Sequence, residues 1–302
     1  MIQYSIVVPV YNSTSSLHEL TSRIHLAIQN CNKSFELILV DDGSSDGSWN
    51  EIEKLKKSFP ETLKAIKLNK NYGQHNATLC GIHFSKGDQV ITIDDDLQFP
   101  PEEISKLIAC FENTNADIVY GIPESKKHSA IRNAGTYYIK ATSDQTKGGS
   151  SFRLIKRSIC DEIIQNHQGS FLFIDTVITW YTNNIETTLV LHEHRKQGKS
   201  GYSLKKLVSL YFNILINYSA LPLKLMTYGG LLFSIITFFF GLRFLYRKLV
   251  HNVPLGYTSL IVSILFSTSL ILLCLGIIGQ YLYKLYQLQN KKPTYSVQKT
   301  IK

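Results

Sequence analysis

The sequence predicts an α/β domain with a mostly parallel sheet, followed by an interfacial helix and two transmembrane helices. Short β-branched runs alternate with helix-like stretches up to about Tyr120, an alternation typical of a parallel sheet covered on both faces. Polar and acidic clusters follow several of these runs. Charged residues are frequent up to Lys206 and then almost disappear from two long apolar blocks, which indicates that the two parts of the chain lie in different solvents.

Five β-branched runs are predicted as strands. They cover residues 5–10, 35–40, 63–68, 89–93 and 117–120. The first run reads directly as a buried strand and lacks the basic, apolar and small-residue order of a signal peptide. We therefore expect the first domain to be cytoplasmic.

Polar clusters follow the first, second and fourth strands, at residues 9–12, 41–46 and 94–96. The carboxyl ends of parallel strands meet at one edge of a sheet, where ligands bind. The turn at residues 42–46 also fits a simple cap of the predicted helix 48–59. The convergence of three clusters favours a ligand site.

Three successive aspartates, Asp94, Asp95 and Asp96, end the fourth strand. Their mutual repulsion is costly unless a cation lies among them, and alternate residues of an extended segment share a face. We expect Asp94 and Asp96 to bind one divalent ion while Asp95 points elsewhere. Oxygen ligands favour Mg²⁺ or Mn²⁺. The alternative is a solvated acidic turn.

Two uncharged stretches, residues 225–242 and 252–283, are long enough to cross a membrane, since a transmembrane helix needs about 20 mostly apolar residues. Arg243 can extend to the interface, so we predict a hairpin with spans of about 225–246 and 255–283. Basic residues in the soluble domain and C-terminal tail favour a cytoplasmic N-terminal domain. The basic loop between the spans opposes that bias.

The predicted organisation is a soluble domain over 1–203, an interfacial amphipathic helix over 204–222, and a hairpin with a basic tail over 223–302. Packing of the 204–222 stripe on the soluble domain is the alternative. The net charge of +9 is concentrated beside the apolar blocks, which suits anionic lipid headgroups. No nucleic-acid motif is present, and five scattered cysteines predict reduced thiols.

Five ordered motifs resemble glycosyltransferase family 2. They are VPVYN at 8–12, VDDGSSD at 40–46, NYGQH at 71–75, DDDLQ at 94–98 with PPEE at 100–103, and FRL at 152–154. Within that family the whole chain is similar to the dolichyl- or undecaprenyl-phosphate sugar transferases. The resemblance implies a GT-A fold and inverting transfer from a UDP-, GDP- or dTDP-sugar to a polyprenyl phosphate at the cytoplasmic membrane face. It also makes a homo-oligomer plausible.

The resemblance implies roles for individual residues. Asp94, Asp96, Asp175 and Arg153 are the expected catalytic residues, with Asp94 and Asp96 also holding the metal. The expected nucleotide-sugar ligands are Pro9, Tyr11, Asn12, Asp41, Asp42, Asp95 and Gln98. Arg132, Arg195 and Ser200 are expected to bind acceptor or phosphate.

Two residues depart from the family pattern. Ser13 follows Asn12 where Glu is common, and Ser151 precedes Phe152 where Asp is frequent. A phosphate acceptor, with a second pKa of about 6, needs no general base, whereas a sugar hydroxyl does. Asp175 is the alternative base, or an ordinary surface or capping residue. Three hypotheses therefore stand: transfer to a polyprenyl phosphate, transfer to a hydroxyl of a lipid-linked glycan, and a non-catalytic membrane scaffold.

Overall fold

The computed structural model describes residues 2–124, 149–166, 173–193, 256–289 and 293–302, with isolated positions between 226 and 250. The chain divides into two compact units, Met1–Gly201 with Lys291–Lys302, and Tyr202–Asn290. The boundary predicted after residue 203 stays a prediction, because residues 194–225 lie outside the described ones. The sequence pattern groups the C-terminal tail with the transmembrane hairpin, whereas the structure places Lys291–Lys302 in the first unit.

An eight-stranded sheet forms the centre of the described part of the first unit. Its strands are β1 Tyr4–Val10, β2 Phe35–Asp41, β3 Leu63–Leu68, β4 Gln89–Thr92, β5 Ile118–Pro123, β6 Arg153–Lys156, β7 Ile185–Val190 and β8 Val297–Ile301. Their order across the sheet is β7-β5-β6-β4-β1-β2-β3-β8. The central strands β4, β1, β2 and β3 are parallel, as are β5 and β7, while β6 and β8 run antiparallel to their neighbours. The predicted mostly parallel α/β sheet is confirmed.

Helices cover both faces of the central strands. They are α1 Thr14–Asn30, α2 Ser48–Ser58, α3 Gln74–Phe84, α4 Ile104–Thr114, α5 Arg157–Asn166 and α6 Ile174–Ile178, with a 3₁₀ turn Pro101–Glu103 before α4. In α1 the buried apolar side chains recur every three or four residues, at Leu17, Leu20, Ile24 and Ile28. These join one core with Ile6 and Val8 of β1. On the other face, Gly81 of α3 approaches β1 so closely that an added Cβ would lie 2.3 Å from Val7 Cγ1.

Five of the eight strands agree with the predicted runs to within a few residues. The strands β6 and β7 lie outside the predicted set. β6 has only four residues, and β7 mixes exposed and buried side chains at an edge of the sheet. Neither presents the longer apolar run that identifies a central strand.

The C-terminal residues form the other edge of this sheet. β8 lies antiparallel to β3, with Ile301 opposite Ala65 and Val297 opposite Leu68. Lys299 Nζ donates to Glu53 Oε1 at 2.7 Å. This lysine, predicted to belong to a basic tail at the membrane, is therefore engaged within the folded first unit.

The second unit contains the long helix α7, Tyr257–Gln289, of 33 residues. Its segment Phe266–Tyr283, with a mean hydropathy of 1.6, is the one stretch within the described residues that is long and apolar enough to cross a membrane. This segment falls within the predicted span 255–283. The described positions between 226 and 250 are helical, but much of the predicted span 225–246 and all of the predicted interfacial helix 204–222 lie outside the described residues.

Candidate active site

The loops that follow β1 and β2 are joined by hydrogen bonds. Asn12, with a φ of +53°, turns the chain sharply after β1. Its backbone N–H donates to Ser44 Oγ at 3.0 Å, and its side-chain Oδ1 accepts from the Ser45 N–H at 2.9 Å. The predicted convergence of the first two polar clusters is thus present in the structure.

Asp95 connects the β1 loop to the loop after β4. Its Oδ2 accepts from the Tyr11 N–H at 3.0 Å and from Ser13 Oγ at 2.5 Å, and its carbonyl accepts from Ser16 Oγ at 2.7 Å. Asp95 therefore braces the loop that carries Tyr11, whose side chain is about half exposed. The serine at position 13 has a direct role here, because a glutamate carboxylate could not donate this hydrogen bond.

Both oxygens of Asp94 accept hydrogen bonds from neutral side chains. Gln74 Nε2 donates to Oδ1 at 2.6 Å and Ser151 Oγ donates to Oδ2 at 2.6 Å. Burial raises the pKa of Asp94 to about 6, with Asp96 and Asp95 adding to the rise and the Ser151 bond opposing it. Ser151, where an aspartate is frequent in similar sequences, thus orients Asp94 and adds no further negative charge.

Asp96 completes the acidic turn after β4. Its Oδ1 accepts from the Gln98 N–H at 3.1 Å across Leu97, which has a φ of +59°. Asp94 and Asp96 are both partly exposed, and their carboxylates are the hard oxygen donors that Mg²⁺ and Mn²⁺ prefer. Within the described residues no group of three or more His, Cys, Asp or Glu could hold a metal ion. A metal here would take its other ligands from water or from a bound substrate.

Asp42 is held by the loop after β3. Its Oδ1 accepts from the Tyr72 N–H at 2.7 Å and its Oδ2 from the Gly73 N–H at 2.8 Å. Burial raises the pKa of Asp42 to about 6 despite these two bonds, and neighbouring Asp41 adds to the rise. Asp41 is fully buried, and its Oδ2 has no hydrogen-bond partner among the described atoms.

The helix-cap interpretation of the turn after β2 also proves partly right. Asp46 Oδ1 accepts from the Ser48 N–H at 3.0 Å at the start of α2, and its Oδ2 accepts from the Thr14 N–H at 3.1 Å at the start of α1. Asp46 therefore stabilises the N-termini of two helices, whereas Asp42, four residues earlier, faces the loop after β3.

A second group of charged side chains is buried around Arg153. Its Nη1 donates to Asp175 Oδ1, and its Nε donates to Thr92 Oγ1 at 3.1 Å. The guanidinium carbon lies 6.0 Å from the centre of the Tyr120 ring. Only 2% of Arg153 and 9% of Asp175 are exposed, so the pair ties β4, β6 and α6 together inside the domain.

His75 borders this buried pair. Its ring centre lies 4.7 Å from that of Phe173. Burial lowers the pKa of His75 to about 4; Asp175 opposes this shift and Arg153 adds to it. The imidazole is therefore neutral at neutral pH.

The remaining predicted site residues have different outcomes. Pro9 is buried within β1, two residues before Tyr11. Gln98 accepts the Glu193 N–H through its carbonyl at 2.8 Å. Arg132, Arg195 and Ser200 lie outside the described residues. The prediction omits Ser13, Thr92 and Gln74 as site residues, although each lies within two residues of one assigned to the site or within a quoted motif.

A family model described as glycosyl transferase family 2 matches residues 5–176, more than half of the 302-residue chain. The chain belongs to glycosyl transferase family 2. The predicted family and the predicted enzyme class, a glycosyltransferase, are confirmed. The matched segment runs from β1 to α6 and contains every described site residue except Glu193.

Several relatives are similar to this glycosyltransferase along almost its whole length. An undecaprenyl-phosphate 4-deoxy-4-formamido-L-arabinose transferase of Shewanella sediminis is 33% identical, over 97% of this chain and 91% of its own. The protein of that name from Pseudomonas savastanoi pv. phaseolicola is 32% identical, over 99% and 90%. An uncharacterized glycosyltransferase of Bacillus subtilis is 31% identical, over 99% and 94%.

Solved structures share the fold at low sequence identity. Mannosyl-3-phosphoglycerate synthase from Rubrobacter xylanophilus has a TM-score of 0.53 at 15% identity, over 76% of this chain and 75% of its own. A mannosyltransferase from Pyrobaculum calidifontis in complex with GDP-Man and Mn²⁺ has a TM-score of 0.50 at 13% identity, over 95% and 85%. These similarities support the GT-A fold of the first unit.

Proposed function

We propose that this glycosyltransferase transfers a sugar from a nucleotide diphosphate donor to undecaprenyl phosphate, with inversion at the anomeric carbon, at the cytoplasmic membrane face. The proposal rests on how much of the chain is similar to the relatives. Relatives named for this acceptor match at least 97% of the chain, including the apolar helix α7, and not the catalytic domain alone. A lipid acceptor explains why a membrane segment belongs to the same chain.

The donor site is formed by the loops at the carboxyl edge of the sheet. Tyr11 and Asn12 offer an exposed ring and a backbone turn for the base and ribose, and Asp42 is held in place beside them through Tyr72 and Gly73. Asp41, at the same edge, is fully buried, and its Oδ2 has no hydrogen-bond partner among the described atoms. Asp95 acts indirectly, by bracing the Tyr11 loop.

Asp94 and Asp96 are the residues that would hold Mg²⁺ or Mn²⁺ beside the donor diphosphate. Bound there, the ion supplies positive charge that stabilises the leaving nucleotide diphosphate. Gln74 and Ser151 fix the orientation of Asp94 through its two oxygens. Both bonds come from neutral groups, so the negative charge of Asp94 stays available to the ion.

The acceptor requires no proton removal. A phosphate monoester has a second pKa of about 6 and is largely a dianion at neutral pH. One of its oxygens attacks the anomeric carbon, the new C–O bond forms as the bond to the nucleotide diphosphate breaks, and the electron pair leaves with the diphosphate. Asp175 Oδ1 is already engaged by Arg153, which favours a positioning role for that pair over a general base.

The position of the C-terminal residues Lys291–Lys302 in the first unit supports the proposed transmembrane hairpin. Both flanks of the segment Tyr202–Asn290 belong to the first folded unit, so both lie in the same compartment. The chain between them must therefore cross a membrane an even number of times. With α7 as one crossing, the span proposed at 225–246 supplies the second, and residues 204–222 form the proposed interfacial helix.

The experiment is a transfer assay with the purified full chain. UDP-, GDP- and dTDP-sugars are offered with Mg²⁺ or Mn²⁺ and either undecaprenyl phosphate or a lipid-linked glycan, and the lipid products are identified by mass spectrometry. Sugar attached to the lipid phosphate is the expected result. Product only on a glycan hydroxyl would favour the second hypothesis, and no product with any pair would favour the scaffold.

A further inference from the structure

The start of the C-terminal strand contacts the loop that follows β3. The Asn69 N–H donates to the Ser296 carbonyl at 2.9 Å, and Asn69 Nδ2 donates to Ser296 Oγ at 2.6 Å. Because β8 runs antiparallel to β3, its first residues lie at the carboxyl edge of the sheet. The tail therefore reaches the same edge as the donor site.

Tyr295 extends this contact to α3. Its hydroxyl lies 2.8 Å from His83 Nδ1. The two rings pack edge to face, with their centres 6.4 Å apart. The side chain is partly buried, and burial raises the pKa of Tyr295, so the hydroxyl stays protonated at neutral pH. Two adjacent tail residues thus hold the loop at residues 69–73 and the helix that follows it.

That loop is tightly fixed on its other side. An added Cβ at Gly43 would lie 2.6 Å from the Lys70 carbonyl carbon and 2.7 Å from the Asn71 nitrogen, so the loops after β2 and β3 are in direct backbone contact. The Tyr72 and Gly73 N–H groups then donate to the two oxygens of Asp42. A continuous set of contacts therefore runs from the tail through residues 69–73 to Asp42.

We propose that Tyr295 and Ser296 are positioning residues for nucleotide-sugar binding. Ser296 holds Asn69 at the start of the loop 69–73, and Tyr295 holds α3, which follows that loop, so that the Tyr72 and Gly73 N–H groups stay oriented toward Asp42. This inference rests on the proposed function, since it takes Asp42 as a donor ligand. The alternative is that β8 only covers the edge of β3. In that case the contact that Lys299 makes within the strand should matter as much as the contacts of Tyr295 and Ser296 before it.

The test uses the full chain and a double variant, Tyr295→Phe with Ser296→Ala, which keeps the backbone pairing of β8. The matched control is Lys299→Ala, which removes a hydrogen-bonded ion pair elsewhere on the same strand. Hydrogen–deuterium exchange of the Tyr72 and Gly73 amides reports loop geometry without any ligand. Binding of UDP, GDP and dTDP, and the KM and kcat for the donor, report the site.

In the double variant we expect the two amides to exchange about fivefold to tenfold faster, as loss of side-chain hydrogen bonds of ordinary strength implies. Donor KM should rise by a similar factor with kcat within about twofold. Lys299→Ala should match the wild type in exchange and in KM. Restoring the hydroxyl, by Ser296→Thr in place of Ser296→Ala, should recover part of the loss.

Unchanged exchange at Tyr72 and Gly73 in the double variant would overturn the inference, as would an equal loss in Lys299→Ala. Faster exchange with unchanged nucleotide affinity would overturn the link to the donor site. Failure of the proposed function looks different. In that case the wild type itself binds none of the three nucleotides, while the exchange experiment still decides whether the tail holds the loop.

Discussion

Two groups of acidic side chains in the first unit are stabilised in opposite ways. In the turn after β4, Asp94 and Asp95 accept hydrogen bonds from amides and hydroxyls, all of them neutral. Inside the domain, Asp175 is instead paired with the buried guanidinium of Arg153. Negative charge without a bonded cation is costly, and the proposed function assigns the divalent ion to this turn. The paired charges of Arg153 and Asp175 instead hold β4, β6 and α6 together.

The largest expected effect is on the transfer rate, after substitution in the acidic turn that follows β4. We expect Asp96→Asn to lower the transfer rate by about 10³-fold at saturating donor, because the Lewis-acid contribution of a bound ion is worth several kcal/mol. The measurement is kcat with Mn²⁺. The matched control is Asp161→Asn, an exposed aspartate of α5 outside the site. Retention of full activity in Asp96→Asn would remove the metal assignment.

The next effect concerns the stability that the buried Arg153–Asp175 ion pair gives to the domain. Removing one partner of a buried ion pair costs about 3–5 kcal/mol, whereas replacing both by apolar residues is often neutral. We therefore expect Arg153→Met to lower the free energy of unfolding by that amount, and Arg153→Met with Asp175→Leu to recover most of it. Denaturant unfolding of the full chain in detergent gives both values.

The same double variant separates a positioning pair from a general base. If Asp175 only positions neighbours, transfer to the lipid phosphate should fall by less than about 10²-fold, the lower limit of a general-base contribution. A folded double variant that loses 10²- to 10⁴-fold would assign the base role to Asp175, contrary to the proposed mechanism.

A smaller effect is expected from pH. The pKa of Asp42 is raised to about 6, so the carboxylate is charged above this pH and can then accept from both the Tyr72 and Gly73 amides. We expect metal-free UDP affinity to rise about tenfold from pH 5 to pH 7 and then to level off. Calorimetry in EDTA measures it. Asp42→Asn should flatten the profile, whereas Asp161→Asn, the exposed control on α5, should leave it unchanged.

The last effect, of similar size, tests the neutral hydrogen-bond donors around Asp94. Ser151→Ala removes one hydrogen bond to its Oδ2, and a single bond to a charged group is worth roughly 1.5–3 kcal/mol at most. We expect about a tenfold increase in the Mn²⁺ concentration needed for half-maximal activity. The exposed Ser105→Ala, on α4, should behave as the wild type. An unaltered metal requirement in Ser151→Ala would mean that Asp94 is oriented by Gln74 alone.

The sequence predicted where the site residues lie in the fold, but it did not predict their hydrogen-bond and ion-pair partners. The clusters at Asp41–Asp42 and Asp94–Asp96 follow apolar runs, and the rule that parallel strands end at one edge brings them together. The pairing of Arg153 with Asp175 and the bracing of Tyr11 by Asp95 depend on side-chain directions. No local periodicity encodes these, because the partners are 22 and 84 residues apart.

The amino-acid order alone determined the central parallel strands, the family, and the long apolar helix, since each of these follows from a local pattern of apolar spacing or from a contiguous motif. Only the tertiary structure decided that residues 297–301 form an edge strand of the catalytic sheet, that Ser296 contacts Asn69 in the loop after β3, and that Tyr295 contacts His83 of α3. A short polar strand at an edge gains its stability from the strand it pairs with, and its partner here is separated from it by more than 220 residues.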